Sequence, residues 1–454
     1  MKKTILLAAI IGVSITSFAQ KFDNVQKYFL LRQYEGAKTE LEKAFTDPKA
    51  ETNPEAWLWK TRIYSELNAD SALSAKYPMA GEVALDAFKK YRSLQPDFSL
   101  MAKDADWRPL NHIYVASFNK GKKFFETKQW DSAFVYFDKM AYMGDIMSEK
   151  DLKKNGQKID TLSTLYAGYA AQNSKNESAA AKYYSRVMSV KMGGADNKDL
   201  YTYVLIYYSN QKDVDNFNKA LALAKEVYPQ TDWDDYEIEF INKNYTTDQK
   251  IALYDKQDAD GMLSAKKYSL FGDLLATAVK DDKNLDSVKS AYCEQKSLDA
   301  YKKAFAKDNT LGIAAFNIGV TYYNQYVTFD DKKVANLRAL QALNANKPVE
   351  RDPKKKAAAD AKFKEQTDAL RNANLSLDKS ILENVDLSIE WSEKAYNALK
   401  GATDRTSKTC TKNAVRQLAN LYSYKRDKAK GKDPKIYDAF DAKFKEYDTL
   451  FDKL

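Results

Sequence analysis

The sequence predicts an all-α chain in which helical hairpins stack side by side into a solenoid, and three observations carry that expectation. Glycine and proline are sparse, 15 and 9 in 454 residues, whereas a chain of short strands joined by tight turns needs more of both. The stretch FNKGKKFFETKQWDSAFVYFDKM, residues 118–140, sets Gly121, Phe124, Ala133, Phe137 and Met140 at steps of three, nine, four and three. The same steps recur at Gly168, Ala171, Ala180, Tyr184 and Val187, and at Val25, Tyr28, Ala37, Leu41 and Ala44. Steps of three and four keep residues on one helix face, and the nine-residue step crosses a short polar turn into a return helix.

The N-terminus comes first. Residues 1–19 of MKKTILLAAIIGVSITSFAQ join two lysines, an apolar run from Ile5 to Val13 and small residues at Ser17 and Ala19. This is the pattern of an export signal, too short in its apolar run to span a bilayer and cleaved after Ala19. No cysteine follows the expected cleavage site, so the expectation is a lipid-free product in the periplasm or outside the cell, held at a membrane only through a partner. The hairpin pattern then covers 18–50, 114–147 and 161–192, with a further copy split across 295–325, where Tyr301 and Ala304 end one hairpin and Ile318, Gly319 and Tyr322 begin the next. A first helix is expected near 54–67, with its return helix delayed to 84–97 by an insertion, and 198–229 forms another hairpin.

This order of small and bulky positions resembles the tetratricopeptide repeat family, whose units are helix-turn-helix pairs of about 34 residues. The resemblance implies a right-handed superhelix, with an N-terminal array over 20–228 and a C-terminal array over 263–454. Between them, residues 229–262 are acidic and poorly patterned and are expected to be a linker or an irregular hairpin. Residues 329–385 interrupt the second array, the return helix resuming at LSIEWSEKAYNALKG with Gly401 as its stop. Residues 408–454 form a closing helix pair whose polar outer face caps the stack.

Composition narrows the function. The 72 basic and 63 acidic residues give a net charge of +9, mild for this length and without the concentrated basic motif of a nucleic-acid binder. One histidine, His112, and two distant cysteines supply no zinc spacing, no HExxH and no nucleophile elbow. The segment DKQDADG at 255–261 mimics part of a calcium loop, but lysines occupy its first and twelfth ligand positions, Lys256 and Lys267. The acidic group Asp232, Asp234, Asp235, Glu237 and Glu239 suits a solvated helix start. No catalytic group, cofactor or metal is assigned. Cys293 and Cys410 are expected to remain free thiols, a bridge between them being the alternative.

On each first helix, positions about one residue past the packing face turn toward the concave side of the stack. These are Phe118, Lys122 and Phe125; Leu165, Tyr169 and Asn173; and Phe316, Tyr323 and Asn324. Together they form a candidate groove for an extended peptide or partner helix, although burial under neighbouring helices accounts for the same pattern. The family resemblance implies an exported, non-catalytic scaffold for protein or peptide partners in the cell envelope. A carbohydrate-binding helical envelope protein and a helical hydrolase are the rival expectations.

Overall fold

The computed structural model describes residues 19–152, 156–261, 263–347, 349 and 351–454; the export signal expected over 1–19 lies outside them except for Ala19. The described residues form twenty α-helices, two short 3-10 segments and no strand. The chain divides into two compact units, the first ending at Trp233 and the second beginning at Asp234.

The first unit contains α1 (Ala19–Leu30), α2 (Tyr34–Ala44), α3 (Pro54–Ala69), α4 (Ser71–Lys76), α5 (Ala80–Leu94), α6 (Ser99–Lys103), α7 (Arg108–Glu126), α8 (Trp130–Glu149), α9 (Thr161–Asn173), α10 (Glu177–Ser189), α11 (Lys198–Gln211) and α12 (Val214–Val227). From α7 onward each helix packs on the next, and the short α4 is the insertion between α3 and its return helix α5. This is the tetratricopeptide-like hairpin solenoid that the spacing implied.

Two local devices repeat through it. Four hairpin turns are built alike: Arg32, Lys128, Lys175 and Lys212 take left-handed backbone conformations at φ 58°, 57°, 62° and 58°. The next residue's N–H then reaches back five positions, from Gln33 to Tyr28, Gln129 to Phe124, Asn176 to Ala171 and Asp213 to Tyr208. That bond closes the helix end as a Schellman motif and leaves the chain ready to begin the return helix. The second device is a ring lying on a glycine. A Cβ at Gly121 would stand 2.7 Å from the Phe137 ring, and one at Gly168 would stand 2.5 Å from Tyr184. The small position of the pattern is therefore the seat of the bulky one on the return helix.

The second unit contains α13 (Asp234–Asn244), α14 (Thr247–Ala259), α15 (Ala265–Asp281), α16 (Ser287–Lys307), α17 (Gly312–Ala345), α18 (Pro353–Leu399), α19 (Arg405–Ala429) and α20 (Pro434–Lys453). Residues 234–259 form two helices joined through a capping box, in which Thr246 accepts from the Gln249 N–H and the Gln249 side chain accepts from the Thr246 N–H. The ring-on-glycine device returns at Gly272, whose Cβ would meet Tyr301 at 2.5 Å.

The interruption at 329–385 takes a different form from a separate element ahead of a late return helix. α17 runs unbroken for 34 residues and α18 for 47, so the inserted residues lengthen both arms of one hairpin. Neither arm contains an internal glycine or proline over the added length, and alanine, lysine, leucine and asparagine simply continue the helices. At its base α18 packs against α19, and α19 against the closing helix α20.

Candidate functional site

The nine residues expected on the concave face fall into separate clusters. In the first unit Phe118 and Phe125 meet the Tyr166 ring edge-on, at 5.8 and 6.3 Å between centroids. Phe137 stacks on the same ring at 4.9 Å. Tyr169 lies edge-on to Tyr184, which in turn meets Tyr203 of α11. Phe118, Phe125, Tyr166 and Tyr169, like Leu165, are half-buried, Phe137 and Tyr184 fully buried, and the rings hold neighbouring hairpins together. Lys122 and Asn173 are exposed. Lys122 stands 3.7 Å from Glu126, and the Asn173 amide donates to the Tyr169 carbonyl at 2.8 Å.

In the second unit Phe316 packs with Trp391, Ala395 and Ala414, and Tyr323 joins the cluster around Val385, Ile389 and Tyr422. Side chains of α18 and α19 thus surround both rings, and Asn324 is the exposed member of that group.

The spacing did not single out Asp273 of α15, which stands on the wall of a cleft of about 340 Å³. The Tyr301 hydroxyl donates to Asp273 Oδ1 at 2.6 Å, and the Asn317 amide donates to the same oxygen at 3.1 Å. Tyr301 is placed by its seat on Gly272, and Asn317 by the first turns of α17, so the carboxylate is oriented from two neighbouring helices. Its carboxylate is exposed to solvent at the cleft wall. Desolvation pushes its pKa above the ordinary carboxylate value, against the opposing pull of the Tyr301 hydrogen bond. Ser269, Thr310 and Ser407 add hydroxyls to the lining, and Leu270, Leu311, Ile313 and Leu399 add apolar walls. Lys266 reaches the same rim while pairing with Asp235 at 3.1 Å.

The position was legible in principle. Asp273 follows Gly272 as Lys122 follows Gly121 and Tyr169 follows Gly168, and Ser269 precedes that glycine as Phe118 precedes Gly121. The residues between α15 and α16 lengthen the turn and break the nine-residue step, which hides the repeat containing Gly272 from the spacing.

Other residues considered for chemistry have structural partners. Asp255 pairs with Lys296 at 2.6 Å, and Asp258 accepts from Lys303 and Tyr268, both at 2.7 Å, so the calcium-like segment is the end of α14 tied to α15 and α16. Glu237 pairs with Lys267 at 2.8 Å. His112 is half-buried on α7, 3.9 Å from Glu66. Cys293 is a buried free thiol within α16 and Cys410 a half-buried one within α19. Among the described residues, no group of three or more His, Cys, Asp or Glu side chains is placed to hold a metal ion, and no helix is long and apolar enough to cross a membrane.

No protein-family model matches the chain, and no curated protein matches it. Among solved structures it is similar to the human IFIT1 dimer with m7Gppp-AAAA, at 12% identity over 94% of this chain and 79% of that one, with a TM-score of 0.20. It is also similar to the P58(IPK) TPR domain, at 14% identity over 88% and 98% of the two chains, with a TM-score of 0.18. The Naa15/Naa10 structure bound to HypK-THB aligns at 13% identity over 95% and 88%, with a TM-score of 0.16. Superpositions this loose leave fold and function to be argued from the chain's own packing.

Proposed function

We propose that this protein is a non-catalytic scaffold of the bacterial cell envelope that holds extended protein segments on the first-helix faces of its hairpins. The observation that carries the proposal is the oriented carboxylate of Asp273 in a cleft with apolar walls. Both bonds that Asp273 receives from protein land on Oδ1, which leaves the other oxygen for an incoming donor. A lysine or arginine side chain suits the space: its aliphatic stem lies along Leu311 and Leu399 while its charged head reaches the carboxylate. In the first unit, exposed Lys122 and Asn173 beside half-buried Tyr169 offer a polar stretch of the corresponding face. Residues 1–19 are read as the export signal, which puts the mature chain, starting at Gln20, outside the cytoplasm.

The test is a titration of the mature chain with extended peptides that differ only in a central lysine, arginine or norleucine. The expected outcome is that norleucine weakens binding about tenfold or more, as loss of a charge-assisted hydrogen bond costs about 1.5–3 kcal/mol. Asp273→Asn should remove the preference for the basic peptides. Equal binding of all three peptides, or an unchanged preference in the variant, would refute the assignment. Intact mass of the released protein tests the export reading, since retention of residues 1–19 contradicts it.

A further inference from the structure

The long hairpin of α17 and α18 has an apolar flank that α19 covers only at its base. Its seam is defined by contacts across the two arms: Lys333 pairs with Asp378, the Asn336 amide donates to Asn374 Oδ1 at 3.0 Å, and Lys347 stands 3.9 Å from Asp360. Thr367, Asn374 and Ile381 are the buried seam residues of α18. In an antiparallel pair, residues one position past the seam on both arms turn to the same side. On α18 that rule selects Asp368, Leu375 and Leu382, and, one past buried Ser388, Ile389; Val385 lies in the seam itself, a heptad after Asp378.

Val385 and Ile389 are 0% and 7% exposed, in the cluster that α19 completes, whereas Leu382 and Leu375 are 46% and 69% exposed. On α17 the same flank carries Val334 and Leu337, at 37% and 45%. The change follows the end of α19. Tyr424 meets Tyr326 at 5.2 Å, Lys425 pairs with Asp386 at 2.6 Å, and Lys428 comes within electrostatic reach of Lys333 and Asp378 one residue before α19 stops at Ala429. One continuous groove is therefore filled by a helix over its lower part and open above it.

The open part has a charge gradient. Beyond Val334, Leu337 and Leu375 stand Arg338, Lys364 and Arg371, the last 3.5 Å from Asp368, and from Arg338 to Arg371 the sequence holds nine basic residues against five acidic. A second copy of this chain would bring like charges together at the tip. We propose that this flank is a docking site for an amphipathic helix of a partner protein, seated as a continuation of α19, with leucine-like residues on Val334, Leu337 and Leu375 and acidic residues toward the tip. This site is independent of the Asp273 cleft.

The experiment uses the mature full-length chain and synthetic helical peptides of about four turns, with leucine at heptad spacing and either glutamate or lysine flanks. Fluorescence anisotropy should show saturable binding of the glutamate peptide and little of the lysine peptide. Leu337→Glu and Leu375→Glu, at exposed positions, should each weaken binding about tenfold or more with unchanged melting curves. The charge reversal Arg338→Glu with Arg371→Glu should shift preference toward the lysine peptide. Equal binding of both peptides, or binding indifferent to all these variants, overturns the proposal. So does a dimer, or adhesion to vesicles of anionic phospholipid, that Leu375→Glu abolishes, because the flank's occupant is then a second copy or a lipid surface.

Discussion

At the scale of single residues, the Asp273 carboxylate has the clearest consequences. Its folded-state pKa is raised, so through the window above the ordinary value of 3.8 the folded chain binds more protons than the unfolded one. Its contribution to stability therefore falls as pH rises through that window. Asp273→Asn keeps an acceptor for Tyr301 and removes the charge. Because the carboxylate is exposed, solvent screening keeps the effect small: the variant should melt slightly higher than the parent at pH 7, and the gap should close as pH falls toward 4; parallel melts from pH 4 to 7 measure it. A variant that melts lower at pH 7 would mark the carboxylate as a structural group. The cysteines permit a second residue-level test. Burial raises the pKa of both thiols, so both should alkylate slowly in the folded protein, half-buried Cys410 ahead of buried Cys293. The denatured, unreduced chain should titrate two free thiols, and a count of zero would establish a bridge.

At the scale of elements, the repeated hairpin turn places a lysine or arginine where glycine is the usual occupant. A left-handed conformation costs an L-residue roughly 1–2 kcal/mol, partly offset by the greater unfolded-state freedom of glycine. Lys128→Gly or Lys175→Gly should therefore stabilise the chain by up to about 1 kcal/mol, read as a rise in denaturation midpoint. The ring-on-glycine contact predicts the opposite sign. Gly121→Leu pushes into the Phe137 ring and should cost about 1–3 kcal/mol, with or without a ligand. A midpoint unchanged by that substitution would mean the α7–α8 contact yields more readily than its spacing suggests.

At the scale of the whole molecule, the division between Trp233 and Asp234 predicts separable folding. Each unit has its own buried cluster, around Phe88, Phe98 and Ile146 in the first and around Ile381, Val385 and Leu418 in the second. Residues 234–454 expressed alone should be as helical as in the full chain, by circular dichroism, and should retain the Asp273-dependent peptide preference. An unfolded fragment would show that the second unit needs the first to complete its core.

What the sequence determined by itself was the hairpin and its repetition. Three- and four-residue steps are local, fixed by the pitch of a helix, and a small residue opposite a ring at Gly121 and Phe137 or Gly168 and Tyr184 leaves the same mark in every copy. The αL lysines of the turns were invisible as such, because lysine carries no signature of that conformation. Only the tertiary structure decided which first-helix side chains stay open. Tyr169 and Tyr323 were both placed just past the packing face, yet one meets the Tyr184 ring of its own return helix and the other lies among side chains of α18 and α19. Asp273 becomes a site through Tyr301 and Asn317, which are 28 and 44 residues away. Leu375 and Ile389 likewise hold equivalent positions on one helix, and their different exposure depends on where α19 ends. Helical periodicity says which way a side chain turns; what it meets there depends on the length and placement of elements distant in the chain.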